Sequence, residues 1–278
     1  MSKNCRNFSK ESATKANTLC LIKEESKMIS QRQWYDEDGI TFHSEHKVQF
    51  SQSDSNKKMS LYEMLKISSD MAVEDYAQRG MDRDTLTEHG FACLVSRVSF
   101  RFHKMPKENE NYVFTTYEEK PEALQLVRAY EFTDPEGKPL ITGISSWLLV
   151  DPIKHRIIST KKFDLRPPLE SQKEHDCLKY GKIQIPENLT KWDERIIKYS
   201  DIDGNSHVNN ARYGAFVADV IPENMRSTAF TDFRLNYAKE AKLGQKLEIF
   251  GKINEDEKML TIVGKTEEGV SFEAELSW

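Results

Sequence analysis

The 278-residue chain has only four cysteines, Cys5, Cys20, Cys93 and Cys177, and no two of them stand at C-x-x-C spacing. That spacing excludes a cysteine-built zinc site or redox pair and leaves free thiols in a reducing compartment as the expectation. No apolar run approaches the ~20 residues needed to cross a bilayer, and the N-terminus lacks the apolar core of a secretory signal. The chain is therefore expected to be cytoplasmic, without stable membrane insertion. A basic arm is missing too, as is any interleaving of aromatic and basic residues, and the formal net charge is -5. Nucleic acid is not an expected partner.

What is present is a core-forming composition, 38% hydrophobic and 31% charged, in a length that suits two domains. Residues 1–41 are rich in Ser, Lys, Asn and Glu, with one apolar cluster at Leu19 to Ile22, and read as a flexible extension. Frequent Ser and Lys suggest a transit peptide, but Glu11, Glu24, Glu25 and the scarcity of Arg count against one. Order is expected from Phe42, where His46 to Phe50 alternates as a strand does. Leu61, Met64, Leu65, Ser68, Met71, Ala72 and Asp75 then recur at helical spacing, with Ser60 as N-cap and Gly80 as stop. Cys93 to Phe102, Tyr112 to Glu119, Leu124 to Thr133 and Ile141 to Val150 read as strands divided by turn chemistry. One helix can bury its apolar face only against such a sheet, so residues 42–158 form an α+β unit.

Residues 159–194, with Pro167, Pro168 and Pro186, read as a linker, and the same order of elements returns in residues 195–278. There Ile196 to Tyr199 reads as a strand and Asn209 to Val220 as a helix, and four strands follow. Ser53-Asp54 before the first helix and Ser200-Asp201 before the second suggest an internal duplication. The copies differ in chemistry: the second sets Asp203, Asn205 and His207 at alternate positions, whereas the first turn offers Asn56, Lys57 and Lys58. On spacing alone, Asp203 and Asn205 make a turn and an N-cap, and Glu240 is part of a charged edge.

Ser-Asp-Ile-Asp-Gly-Asn-Ser-His-Val-Asn-Asn, Ser200 to Asn210, strongly resembles the signature of plant and bacterial acyl-acyl-carrier-protein (acyl-ACP) thioesterases. Ser145-Ser-Trp-Leu-Leu-Val150, Lys154-His-Arg-Ile157 and Asn236-Tyr-Ala-Lys-Glu-Ala241 extend the likeness over about residues 45–278. The resemblance implies a tandem hot-dog fold, each half a long helix wrapped by an antiparallel sheet, the acyl pocket in the first half and the catalytic residues in the second. It implies hydrolysis of fatty acyl-ACP to free fatty acid and holo-ACP, with no metal or organic cofactor. Asp203, Asn205, His207 and Glu240 match the family's catalytic positions. Many plant members carry cysteine beside that glutamate; here Ala241 stands there, which excludes a thiolate mechanism at this site.

The residues leave several roles open. Glu240 or Asp203 could activate water, or one carboxylate could attack and form a mixed anhydride. His207 could orient water or polarise the carbonyl, with Asn205 as a positioning group, and amides at the helix start near Asn209 could meet the oxyanion. Part of the apolar face Met64, Leu65, Ser68, Met71 and Ala72 is expected to line the acyl cavity. Acyl carrier protein is acidic, so Lys191, Arg195, Lys198, Arg212, Lys239 and Lys242 are candidates for its docking. A homodimer is compatible with the sequence. The competing functions are an acyl-CoA thioesterase of the same fold and a non-catalytic acyl-ACP binding or sensing protein.

Overall fold

Ser60 opens the first helix. Its side-chain oxygen accepts from the Glu63 amide at 3.2 Å, satisfying a donor that the first turn would leave free, and α1 (Leu61–Gln78) follows. Gly80, at φ 75°, ends it in the left-handed conformation that glycine adopts without strain. A computed structural model of the chain describes residues 32–170 and 173–278. The expected flexible stretch up to residue 31, with Cys5 and Cys20, lies outside the described residues, and Trp34–Trp278 form one compact unit.

Before α1 come β1 (Gln33–Tyr35) and β2 (Phe42–Lys47). After it come α2 (Arg83–Glu88), β3 (Ala92–Phe102), β4 (Asn111–Glu119), β5 (Gln125–Thr133), β6 (Pro139–Asp151) and β7 (Arg156–Ile157). The second half contributes β8 (Thr190–Ile196), α3 (Arg212–Val220), β9 (Asp232–Tyr237), β10 (Lys246–Asn254), β11 (Met259–Thr266) and β12 (Gly269–Ser277). One antiparallel sheet runs β1-β2-β4-β5-β6-β3-β9-β12-β11-β10-β8, with β7 paired to β6. The halves meet where β3 pairs β9, from Arg97 opposite Asn236 to Arg101 opposite Asp232. This is the tandem hot-dog: a helix against each half-sheet, the two half-sheets fused edge to edge. The helices touch where α3 carries Gly214, because a Cβ there would lie 2.8 Å from the Leu61 carbonyl oxygen. Met64, Phe100, Phe114, Phe216, Phe233 and Phe272, all fully buried, form a core shared by both halves.

Order starts earlier than the expected Phe42, and the cause is aromatic. Trp34 stacks on His43 at 5.0 Å between ring centroids, and the Tyr35 hydroxyl donates to Asp75 at 3.0 Å. The expected linker also differs, because β8 begins at Thr190 and the irregular segment before it is packed. Ile183 is fully buried, Arg166 pairs with Glu118 at 2.8 Å, and His175 lies 2.8 Å from Glu119. A charged segment without periodicity can dock through ion pairs, which hydrophobic spacing does not register.

Those ion pairs belong to a buried network. Asp75, with no exposed surface, binds Arg79 at 2.7 Å and Arg128 at 2.8 Å, and Glu118 takes Arg79, Arg166 and the Tyr76 hydroxyl. Burial pushes the Glu118 carboxyl up, but the guanidiniums of Arg128, Arg166 and Arg79 outweigh it and hold it at about 2. A carboxyl held below its ordinary 4.5 contributes stability that is complete above that value and disappears as the pH falls towards 2. Glu118→Gln leaves guanidiniums short of a countercharge and is expected to cost about 3 kcal/mol in denaturant unfolding near pH 7. The gap from wild type should narrow as the pH drops below 4.5; a gap independent of pH would show that the carboxylate charge contributes nothing.

Candidate functional site

The stretch after β8 folds on itself. Ile202 bridges Val208, the Asp203 amide donates to the His207 carbonyl at 2.9 Å, and the Ser206 amide to the Asp203 carbonyl at 3.0 Å, with Ser206 at φ 66°. Asp203 Oδ1 accepts from the Asn205 amide at 2.8 Å, so this carboxylate closes an Asx turn. Just upstream, Asp201 accepts from the Lys198 amide at 2.9 Å and pairs with Arg212 at 2.7 Å, which pins the turn to α3. The Val208 amide donates to the Ala241 carbonyl at 2.9 Å, stitching the turn to the segment that follows β9. That stitch sets His207 Nε2 3.0 Å from Glu240 Oε2. The Glu240 side chain is about half exposed, and Ala241 is fully buried.

Asn205 faces the other half. Its side-chain carbonyl accepts from Arg83 Nη2 at 2.6 Å, and its amide NH2 has no partner among the described residues. Both residues line a cavity of about 540 Å³ between α1, α2 and the first half-sheet. Ala72, Met81, Leu86, Phe91, Leu126 and Trp147 give it an apolar interior, and the buried Glu118 and Arg128 close one wall. Cys93 also lines it; burial pushes its thiol up to about 12, which keeps it protonated and a poor nucleophile.

The four expected residues thus separate. His207 and Glu240 meet, Asn205 reaches the cavity, and Asp203 closes the turn. Of the expected apolar face only Ala72 lines the cavity; Met64 and Leu65 are core. The helix begins at Arg212, not Asn209, because the amides of Ala211 and Arg212 bond Asn209 and that of Gly214 bonds Ala211. These three amides are not free for an oxyanion. Of the six cations proposed for docking, Lys191, Arg195 and Arg212 are paired with carboxylates, and Lys239 donates to the Glu268 carbonyl. Lys198 and Lys242, which flank the turn and Glu240 in sequence, have no carboxylate partner among the described residues. Arg83 was missed. Its helix α2 is six residues long, and its only signals were Asp82, whose side chain accepts from the Thr85 amide at 2.8 Å, and Gly90.

The first half contains the same turn. Ser53 bridges Met59, the Asp54 amide donates to the Lys58 carbonyl at 2.7 Å, and Asp54 Oδ1 accepts from the Asn56 amide at 2.8 Å. Lys57 takes φ 59°, and the Met59 amide donates to the Pro106 carbonyl at 2.8 Å. Asp54 therefore corresponds to Asp203, not to Asp201 as the Ser-Asp match suggested, and Asn56 corresponds to Asn205. Acid and amide belong to the turn in both copies. The differences are Lys58 for His207 and Met105, which precedes Pro106, for Glu240. With its thiol held protonated by burial, Cys93 is a poor nucleophile: Cys93→Ser is expected to retain turnover within about twofold, and a loss beyond tenfold would make the thiol reactive.

The acyl-ACP thioesterase N-terminal domain matches residues 39–163, and the acyl-ACP thioesterase C-terminal domain matches residues 188–277. An acyl-ACP thioesterase from Bacteroides thetaiotaomicron is similar in structure at TM-score 0.75 and 20% identity, covering 87% of this chain and 99% of that one. The 12:0-ACP thioesterase from Umbellularia californica is similar at TM-score 0.75 and 15% identity, covering 88% and 99%. A putative oleoyl thioesterase from Lactobacillus plantarum follows at 0.71 and 17%, covering 85% and 94%. No curated protein matches the sequence. At such identities the structures share the fold, and the two domain matches, which together take up most of the chain, establish that it belongs to the acyl-ACP thioesterase family, the thioester hydrolases of fatty-acid biosynthesis.

Proposed function

We propose that hydrolysis uses His207 and Glu240 as the proton-handling pair, Asn205 as the oxyanion donor and the 540 Å³ cavity as the acyl site. The 3.0 Å contact between His207 and Glu240 carries this reading, because the first copy folds the same turn without either residue. Glu240 accepts a hydrogen bond from the Nε2–H of His207 and fixes the tautomer that leaves Nδ1 as a base. A water gives its proton to Nδ1 as its oxygen bonds to the thioester carbonyl carbon. The oxyanion meets the unpartnered NH2 of Asn205, which Arg83 holds by the other end of the amide. The C–S bond then breaks, the imidazolium returns the proton to the departing sulfur, and the products are the fatty acid and holo-ACP. Asp203 acts through the turn, as a positioning residue. Where the apolar interior meets Glu118 and Arg128, an acyl tail could go further only by displacing their ion-pair partners, so that wall bounds its length.

The carrier is acidic, and Lys198 and Lys242 flank the site as its docking groups. Among the described residues Cys93 and Cys177 are free thiols, which supports a reducing, cytoplasmic setting. Both parts of the site come from one chain, so no step requires a homodimer.

The test is hydrolysis of an acyl-ACP panel of varied length beside the matched acyl-CoA esters. Glu240→Gln and His207→Ala are each expected to lower kcat about 10²-fold or more, and Asn205→Ala about 10²-fold. Asp203→Asn should lose about tenfold or less, because asparagine also closes Asx turns. Near-wild-type turnover in both Glu240→Gln and His207→Ala would sink the assignment. For docking, added salt is expected to raise KM for acyl-ACP far more than for a short neutral thioester, and equal sensitivity would remove the lysines from the account.

A further inference from the structure

The duplicated turn has a cavity of its own. It measures about 410 Å³ and lies where the first-half turn meets α3 and the segment leading into β9. The two cavities are counterparts. Asn205 of the second turn lines the larger one beside Ala72 and Val73 of α1, and Asn56 of the first turn lines the smaller one beside Ala218 of α3 and Ile221. Each asparagine side chain is bonded across to the other half: Arg83 donates to Asn205 at 2.6 Å, and Asn56 donates to the Arg226 carbonyl at 2.9 Å.

We propose that the smaller cavity is a second, non-hydrolytic site that binds a long-chain carboxylate by its apolar tail and anionic head. The tail would rest on Met59, Phe102, Met105, Ile221, Phe230 and Leu276. For the head, Lys58, Lys104, Lys107 and Arg226 line the cavity against a single carboxylate, that of Asp54. Asp54 Oδ1 is engaged by the Asn56 and Lys58 amides of its own turn. Lys104 is held by Glu110 at 3.1 Å, whereas Lys58 and Lys107 have no carboxylate within ion-pair distance among the described residues. Such a cluster in a chain of net charge -5 is a local arrangement, not a consequence of composition.

The site binds without cleaving because the proton-handling pair is missing. Lys58 stands where His207 stands in the other copy, and Met105 precedes the Pro106 stitch where Glu240 precedes that of Ala241. The imidazole that does line this cavity, His103, follows β3 and is not part of the turn; its Nε2 lies 3.1 Å from the Thr142 hydroxyl and 3.8 Å from the Asp176 carboxylate, too long for the hydrogen bond that His207 makes with Glu240. An ammonium in the place of a general base gives a charge-assisted hydrogen bond to a carboxylate and cannot take a proton from water while charged. Identifying the ligand with the reaction's product class rests on the hydrolase assignment; the cavity and its cationic rim do not.

The experiment is calorimetric titration of the full chain with dodecanoate below its micellar range, and with uncharged dodecanol. Wild type should bind dodecanoate at two sites. The double variant Lys58→Gln/Lys107→Gln should weaken one of them by about tenfold or more, Ala218→Trp should remove the same one by filling the tail space, and Val73→Trp, in the larger cavity, should remove the other. Dodecanol should miss the lysine-dependent site. Unchanged two-site binding in both the lysine variant and Ala218→Trp, or equal binding of dodecanol, overturns the proposal. So does a lysine variant that raises KM for acyl-ACP while binding dodecanoate as wild type does, since the rim would then serve the carrier protein. A wild type that binds at two sites but hydrolyses no acyl-ACP would refute the hydrolase reading and leave this site standing.

Discussion

The pairing of β3 with β9 is the constraint on which everything else rests. Five consecutive register pairs, Arg97 with Asn236 through Arg101 with Asp232, convert two half-sheets into one and remove an exposed edge from each. Fixing that seam also fixes where the helices lie, close enough that α3 needs Gly214 against Leu61. It also decides that a turn from one half reaches the cavity of the other. Asn205 and Arg83 are 122 residues apart in sequence, and their 2.6 Å contact exists because the seam brings the halves together.

The duplication separates what the backbone needs from what the chemistry needs. Both turns place an aspartate to accept from the amide two residues on, both put one residue in the left-handed region, and both are stitched to the segment after the seam strand. Aspartate and asparagine suit those positions in either copy because short polar side chains close Asx turns. The pair that the turn does not call for is His207 with Glu240, and only the second copy has it. Divergence of two side chains on one duplicated frame is enough to make one copy a candidate for acid–base chemistry and to leave the other without that pair.

Beside the larger cavity the protein keeps a costly feature. Asp75, Glu118, Arg79, Arg128 and Arg166 are buried or nearly so, and desolvating that many charges is favourable only because each finds a partner at 2.7 or 2.8 Å. The network ties β1, α1, β4, β5 and the inter-half segment together, and its Glu118 and Arg128 also form the polar wall of the cavity. Structural cohesion and the shape of the apolar space therefore depend on the same side chains.

The sequence by itself determined the repeated helix-and-sheet order, the cap at Ser60, the stop at Gly80 and the cores of β3 to β6 and β9 to β12, because periodicity and capping are local properties, whereas the strands expected at His46 to Phe50 and Ile196 to Tyr199 lie at Phe42–Lys47 and Thr190–Ile196. Its match to a known signature also determined which acid, amide and imidazole to watch, and Glu240 stood out by no other means. Only the tertiary structure decided how those residues are arranged. That Asp203 is spent on its turn, that Asn205 is held by Arg83, that α3 starts at Arg212 and that Asp54 is the true counterpart of Asp203 all depend on hydrogen bonds. No period in the chain encodes those bonds. The charged segment before β8 looked like a free linker for the same reason: its anchors are Glu118 and Glu119 on a distant strand, and contacts between segments far apart in sequence form only when the fold brings them together.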